Sequence, residues 1–287
     1  MALPRLALAV IGDEIGPSLP EMISFCAENG VRRLDMRTVT GRNLLGMTLD
    51  EVRTIKRTLE GAGIEIPTFV SPLLKWTAPG QLAAGGKVDF AFDPKECPAA
   101  DPLAYAFDIA AILGAGRMRI FSYLRYPGYK PLDLKPGIDR LLGLADRHGV
   151  TLEMENEPVC NVGSIAELAA IFAAWPRPLP ARLKPLVDIG NSWSMGQPPT
   201  DAEIALLAPA TDQIHLKDRN IAARRVVPLG DGNVPWASEL KRLLAGVTAG
   251  EVLASMETHC PDDGRNATAR SVAALRRIAG EIGAELV

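Results

Sequence analysis

Two rhythms of apolar and polar positions alternate along this chain. Short apolar or β-branched runs, some with a period of two, are separated by stretches with apolar residues every three or four positions. The runs RLALAVIG, VRRLDMRTV, IEIPTFVSP, RMRIFSYLR, VTLEMEN, RLKPLVDIGN, DQIHLKD and EVLASMETH predict eight strands, and a helix-like stretch follows each. The first helix, from about Pro20 to Asn29, has the weakest start. Three others open with a capping box, Thr48 with Glu51, Ser164 with Glu167 and Thr200 with Glu203, where the hydroxyl satisfies a free amide and the glutamate reaches back. Glycine closes several helices just before the next strand (ENG-VRRL, GAG-IEIP, GAG-RMRI, RHG-VTLE), since it accepts the left-handed conformation that stops a helix.

No linker rich in Pro, Gly or Ser divides the 287 residues, and WPRPLPARLKP is short enough to connect a helix to a strand. Residues 1–287 are therefore expected to form one α/β domain. Eight β–α units in about 250–290 residues is the arithmetic of a single (β/α)8 TIM barrel. An open doubly wound sheet is the rival, but no G-x-G-x-x-G follows the first strand.

Composition narrows the partners. With 47% hydrophobic and 23% charged residues, a formal charge of −3 and a pI near 5.7, the chain lacks an electrostatic footprint for nucleic acid or an anionic membrane. The apolar run LALAVIG is far too short to span a bilayer and has no cleavage-site pattern, so a cytoplasmic location is expected. Cys26, Cys97, Cys160 and Cys260 lack C-x-x-C spacing, which points to reduced, packed thiols rather than a cysteine zinc site.

The candidate chemistry lies at strand ends. In TLEMENEPVC, Glu153, Glu155 and Glu157 alternate along a strand, so all three aim one way, and burying unpaired carboxylates is expensive. Three further strands turn from apolar to ionisable at the same end: LVDIGN at Asp188, IHLKD at His215 and SMETH at Glu257. Each alone has a plain explanation, such as a solvated strand end or a hydrogen-bonded histidine. Four in register on consecutive strands would crowd three carboxylates and an imidazole over the barrel mouth. Such a set repels itself unless a cation sits within it, and an O,O,O,N donor set suits one divalent Mn, Mg, Co or Zn ion.

The motifs RRLDMR at strand two, L-x-M-E-N-E-P at five, D-I-G-N at six, H-L-K-D at seven and M-E-T-H at eight resemble those of the xylose isomerase-like TIM-barrel superfamily, also called sugar phosphate isomerases/epimerases. The resemblance spans nearly the whole chain. It implies Glu155, Asp188, His215 and Glu257 as metal ligands, with Glu155 and Glu257 also serving as acid/base groups. The implied activity is isomerisation or epimerisation of a small sugar or polyol-derived ketone through a metal-stabilised ene-diolate. Dehydration of an inosose- or dehydroshikimate-like substrate, or sugar binding without catalysis, are the alternatives. One departure is Asn191, where many relatives carry histidine, and another is Glu157, histidine in some.

Arg37, Asn191, Lys217 and His259 are candidate substrate contacts. Arg37 could instead pair with Glu153 or Glu157, Lys217 with Asp218, and His259 could be structural. The loop VVPLGDGNVPW has glycines where some barrels hold phosphate, though tight turns explain them as well. Trp76 and Trp193 either line a sugar face or pack between loops. A three-zinc nuclease of the same superfamily is excluded because His148, His215 and His259 are the only histidines. The expected partner is a small sugar-like molecule, with neither nucleic acid nor membrane. Homo-oligomers are frequent among barrels of this group.

Overall fold

The structure, a computed structural model, describes residues 2–84 and 92–287. Eight parallel strands form the barrel: β1 (Arg5–Ile11), β2 (Leu34–Asp35), β3 (Thr68–Phe69), β4 (Arg117–Ile120), β5 (Thr151–Glu155), β6 (Leu183–Asp188), β7 (Gln213–Leu216) and β8 (Glu251–Met256). Each pairs with its neighbours in chain order, and β1 pairs with β8 over six residues. The remaining seam, β2 against β3, is closed by bridges at Arg33–Glu65 and Met36–Phe69. Below the two residues that β2 pairs with β1, the last residues take over the edge: Leu6 N–H donates to Glu285 O at 2.8 Å and Leu8 N–H to Val287 O at 2.9 Å.

The helices α1 (Leu19–Asn29), α2 (Leu49–Gly61), α3 (Pro102–Leu113), α4 (Lys135–His148), α5 (Ile165–Ala174), α6 (Asp201–Leu207), α7 (Trp236–Gly246) and α8 (Gly264–Ile282) follow the strands of the same number. Each lays an apolar stripe inward; in α2 this is Val52, Ile55 and Leu59, one face of a 3.6-residue repeat. The three expected capping boxes are present. A fourth, Ser18 with Glu21, opens α1 one residue before Pro20, so the weakest-looking start is a capped one. Among the described residues no helix is long and apolar enough to cross a membrane.

Strands two and three are much shorter than their apolar runs suggested. Pro67 has no N–H to give the ladder, so β3 pairs with β4 only at Thr68 and Phe69. After Asp35 the chain leaves the barrel for a small hairpin, Thr38–Val39 against Arg42–Asn43. Its turn holds Thr40 and Gly41 at φ 52° and 74°.

The barrel interior is polar at mid-height. Thr68 Oγ1 donates to Gln213 Oε1 at 3.1 Å, Gln213 Nε2 to Ser255 Oγ at 3.1 Å, and Ser255 Oγ to Asp35 Oδ2 at 2.5 Å. Glu153 lies inside the barrel too, wholly buried, near Arg117 and Asp212 on the amino-terminal side.

Candidate active site and metal centre

At the carboxyl ends of β5 to β8 the four expected side chains meet. Each of Glu155, Asp188, His215 and Glu257 offers one ligand atom, and these atoms lie within 4.8 Å of one another. All four residues are buried. His215 Nδ1 stands 3.0 Å from Glu155 Oε1 and 3.3 Å from Glu257 Oε2, so both glutamates converge on one imidazole nitrogen.

Backbone devices fix this arrangement. Asn156 Nδ2 donates to Asp188 O at 2.8 Å while its Oδ1 accepts from Asp188 N–H at 2.9 Å, tying the ends of β5 and β6. Asp188 Oδ1 accepts the Asn191 N–H at 2.8 Å, capping a short helix, Ile189–Ser194, and leaving Oδ2 to the cage. Gly190 is required by proximity: a Cβ there would fall 2.6 Å from Lys217 Cγ and 2.7 Å from Lys217 O.

The chain's own cations surround the carboxylates. Lys217 Nζ lies 2.8 Å from Asp188 Oδ2 and 2.5 Å from Glu257 Oε2. Arg119 Nη1 is 3.2 Å from Glu155 Oε2 and 3.6 Å from Glu257 Oε1. Arg37 Nη1 reaches Glu257 Oε1 at 3.0 Å, and its other nitrogens bind Glu14 at 2.6 Å and Asp13 at 3.0 Å. His259, in the left-handed region at φ 53°, sets Nδ1 2.9 Å from Glu14 Oε1 and Nε2 3.4 Å from Glu257 Oε1.

These partners set the ionisation. Burial alone would raise both glutamates, but His215 and Arg119 hold Glu155 at about 2, and Lys217, His259 and His215 hold Glu257 well below the usual range. Burial pushes Asp188 up to about 6 against the pull of Lys217. Burial would lower His215, yet Glu155 and Glu257 raise it to about 10, and Asp188 and Glu257 likewise hold Lys217 charged.

The structure decides between several of the alternatives left open by the sequence. Arg37 pairs with Glu257, Glu14 and Asp13, not with Glu153 or Glu157. Lys217 turns inward, away from any surface pair with Asp218. The three alternating acids part company: only Glu155 joins the cage, Glu153 stays beneath it, and Glu157 lies 3.6 Å from Lys75. The amides of the loop after β7 are taken by the Asp218 carboxylate, which accepts from Arg219, Gly230, Gly232 and Val234 at 2.7 to 3.3 Å. Asn191 Nδ2 donates to Asn156 O at 2.7 Å. Trp76 packs near Phe92, and Trp193 Nε1 donates to Glu239 at 3.4 Å. His148 packs against Phe107, in the last turn of α4.

Arg119, Asn156, Asp13 and Glu14 belong to this site and were missed from the sequence. For Arg119 a signal existed: RMRI places arginines two apart, as TLEMEN places glutamates, on strands that pair Arg119 with Glu153. The nearest large opening is a cavity of about 650 Å³ lined by Asp13, Glu14, Glu21, Arg37, His259 and Cys260, on the flank of Glu257.

A family model described as "Xylose isomerase-like TIM barrel" matches residues 23–278. The chain belongs to the xylose isomerase-like TIM-barrel family. Among solved structures of like fold is the IOLI protein with a binding zinc atom, at TM-score 0.70 and 14% identity, covering 97% of this chain and 99% of that one. A D-allulose 3-epimerase from Methylomonas sp. matches at TM-score 0.65 and 16% identity, covering 97% of this chain and 100% of the other. AsbF of Bacillus anthracis, a probable 3-DHS dehydratase of petrobactin synthesis, matches at TM-score 0.65 and 14% identity, over 95% of this chain and 98% of its own. No curated protein sequence matches the chain.

The donor set of this family member fits a divalent ion. Asp188 Oδ2, Glu257 Oε2 and His215 Nε2 are buried without a hydrogen bond. Lys217 stands at ion-pair distance from the two oxygens but outside hydrogen-bonding angles, so it neutralises them without saturating them.

Proposed function

We propose that this protein is a divalent-metal-dependent isomerase or epimerase of a small sugar or polyol-derived ketone. The convergence of three carboxylates and one imidazole at the barrel mouth, with both glutamates drawn up to one imidazole nitrogen, carries this reading. When bound, a divalent ion held by Glu155, Asp188, His215 and Glu257 supplies Lewis-acid polarisation of a carbonyl next to the acidic carbon.

The chain's own residues then handle the proton. Glu155 and Glu257 are held ionised near neutral pH, so either can accept a proton from carbon. If the same carboxylate returns that proton to the neighbouring carbon, the outcome is aldose–ketose isomerisation. Epimerisation needs the opposite carboxylate to carry a proton first. The N–H groups nearest Glu257 are Lys217 Nζ, 2.5 Å from Oε2, and His259 Nε2, 3.4 Å from Oε1. Arg119 and Arg37 orient the glutamates by ion pairing, and Arg37 and His259 face the cavity where substrate hydroxyls would sit. Asn191 acts through Asn156 and Asp188 by holding the β5 and β6 ends together. A dehydratase is the second reading, supported by the likeness to AsbF. Elimination starts with the same proton abstraction.

Deuterium exchange from solvent into a panel of ketoses, with and without chelator, tests the proposal. Metal-dependent exchange with retained skeleton is expected, and loss of water would select the dehydratase. Glu257→Gln should lower turnover by about 10²–10⁴-fold. Exchange that ignores the chelator, or no exchange with any ketose, contradicts it.

A further inference from the structure

We infer that this site takes an uncharged polyhydroxylated ketone and rejects phosphorylated and carboxylated sugars. The inference rests on the proposed proton-transfer function and narrows its substrate. Three separate features of the structure lead to it.

The first is the state of the buried cations. Among the described residues the buried lysines and arginines are Arg37, Lys75, Arg119 and Lys217. Each is already engaged by carboxylates: Arg37 by Asp13, Glu14 and Glu257, Lys75 by Glu157, Arg119 by Glu155 and Glu257, Lys217 by Asp188 and Glu257. An incoming phosphate or carboxylate would have to displace one of these acids to gain a counter-charge. A hydroxyl would not, because it can donate to a carboxylate and accept from a guanidinium at once.

The second is the lining of the cavity beside Glu257. Asp13, Glu14 and Glu21 face it, against Arg37 and His259, which those acids and Glu257 already hold. An anion placed there meets like charge, while a polyol meets acceptors for its hydroxyls.

The third is the glycine-bearing loop after β7, where some barrels bind phosphate. Here Asp218 fills the nest of amides from Arg219, Gly230, Gly232 and Val234. The packing is so close that a Cβ at Gly232 would fall 2.0 Å from Asp218 Oδ1. The chain's own carboxylate occupies the place of a substrate anion.

The test compares free ketohexoses, their 6-phosphates and 3-dehydroshikimate as substrates of the metal-loaded protein, read by deuterium exchange and water loss. Free ketoses should exceed their phosphates in kcat/KM by about 100-fold or more, with dehydroshikimate inert and inorganic phosphate non-competing. Asp13→Asn removes one lining charge and should narrow the free-to-phosphate ratio by about tenfold. Equal or faster turnover of a phosphate ester or of dehydroshikimate overturns the inference while leaving the proton-transfer function standing. An unchanged ratio in folded Asp13→Asn also overturns it, since the charged lining would then not set the preference. No metal-dependent reaction with any member removes both.

Discussion

Glu153 and Glu155 lie two residues apart on one face of β5, both without solvent exposure, yet their surroundings shift them in opposite directions. Glu155 sits among His215 and Arg119 and is held ionised, at about 2. Glu153 has no hydrogen-bond partner, and burial with the Asp212 carboxylate beside it pushes it well above the usual range. A similar contrast separates the rim from the polar layer at mid-height. The rim gathers Glu155, Asp188 and Glu257 with Arg119, Lys217 and Arg37, a set in which each acid has a cation at hand. The layer beneath joins Asp35, Thr68, Gln213 and Ser255 by hydrogen bonds, and burial raises Asp35 to about 6. Depth is nearly equal in the two layers; the company each carboxyl keeps decides whether it is charged.

The rim should break hardest. Arg119→Met takes the guanidinium from both glutamates and leaves buried negative charge, so chelated protein should lose about 3–5 kcal/mol of stability in urea unfolding. A loss below about 1 kcal/mol would show that Lys217 and Arg37 suffice without it.

Asp35 gives a pH-dependent effect. Its folded pKa, about 6, exceeds the ordinary aspartate value of 3.8, so the folded state binds the proton more tightly. Stability is therefore lost as pH rises between these values, in the amount of about 3 kcal/mol. Asp35→Asn should remove that slope: relative to the parent, the variant should gain about 3 kcal/mol between pH 4 and pH 7. Parallel pH profiles would mean that Asp35 is ionised in the fold after all.

Glu153→Gln should do least. Replacing a carboxyl that burial pushes toward its uncharged form by an amide of similar shape should move stability by about 1 kcal/mol or less and leave metal affinity untouched. The identical change at Glu155 should cost most of the metal affinity, measured by calorimetric titration. Equal effects at the two positions would erase the distinction between the layers.

Much of this was legible in the chain. Eight strands, their capped helices and the strand-end acids follow from periodicity, since a strand shows two faces and a helix a stripe. What the periodicity hid has physical causes. Pro67 cut strand three short by removing a donor, a break already visible inside the run IEIPTFVSP. The alternation of Glu153, Glu155 and Glu157 fixed a shared direction but not depth along the barrel axis. Arg119, Asp13 and Glu14 come from strands and loops remote in sequence and meet Glu155, Glu257 and Arg37 only once the barrel closes. Lys217 shares the strand parity of His215 and does turn to the cage, and Gly190 clears its path inward.

Anomalous diffraction from a crystal soaked with Mn2+ tests the central claim most directly. One strong peak bonded to Glu155, Asp188, His215 and Glu257 is the expected result. Manganese absent from these four residues, or bound elsewhere, would contradict it.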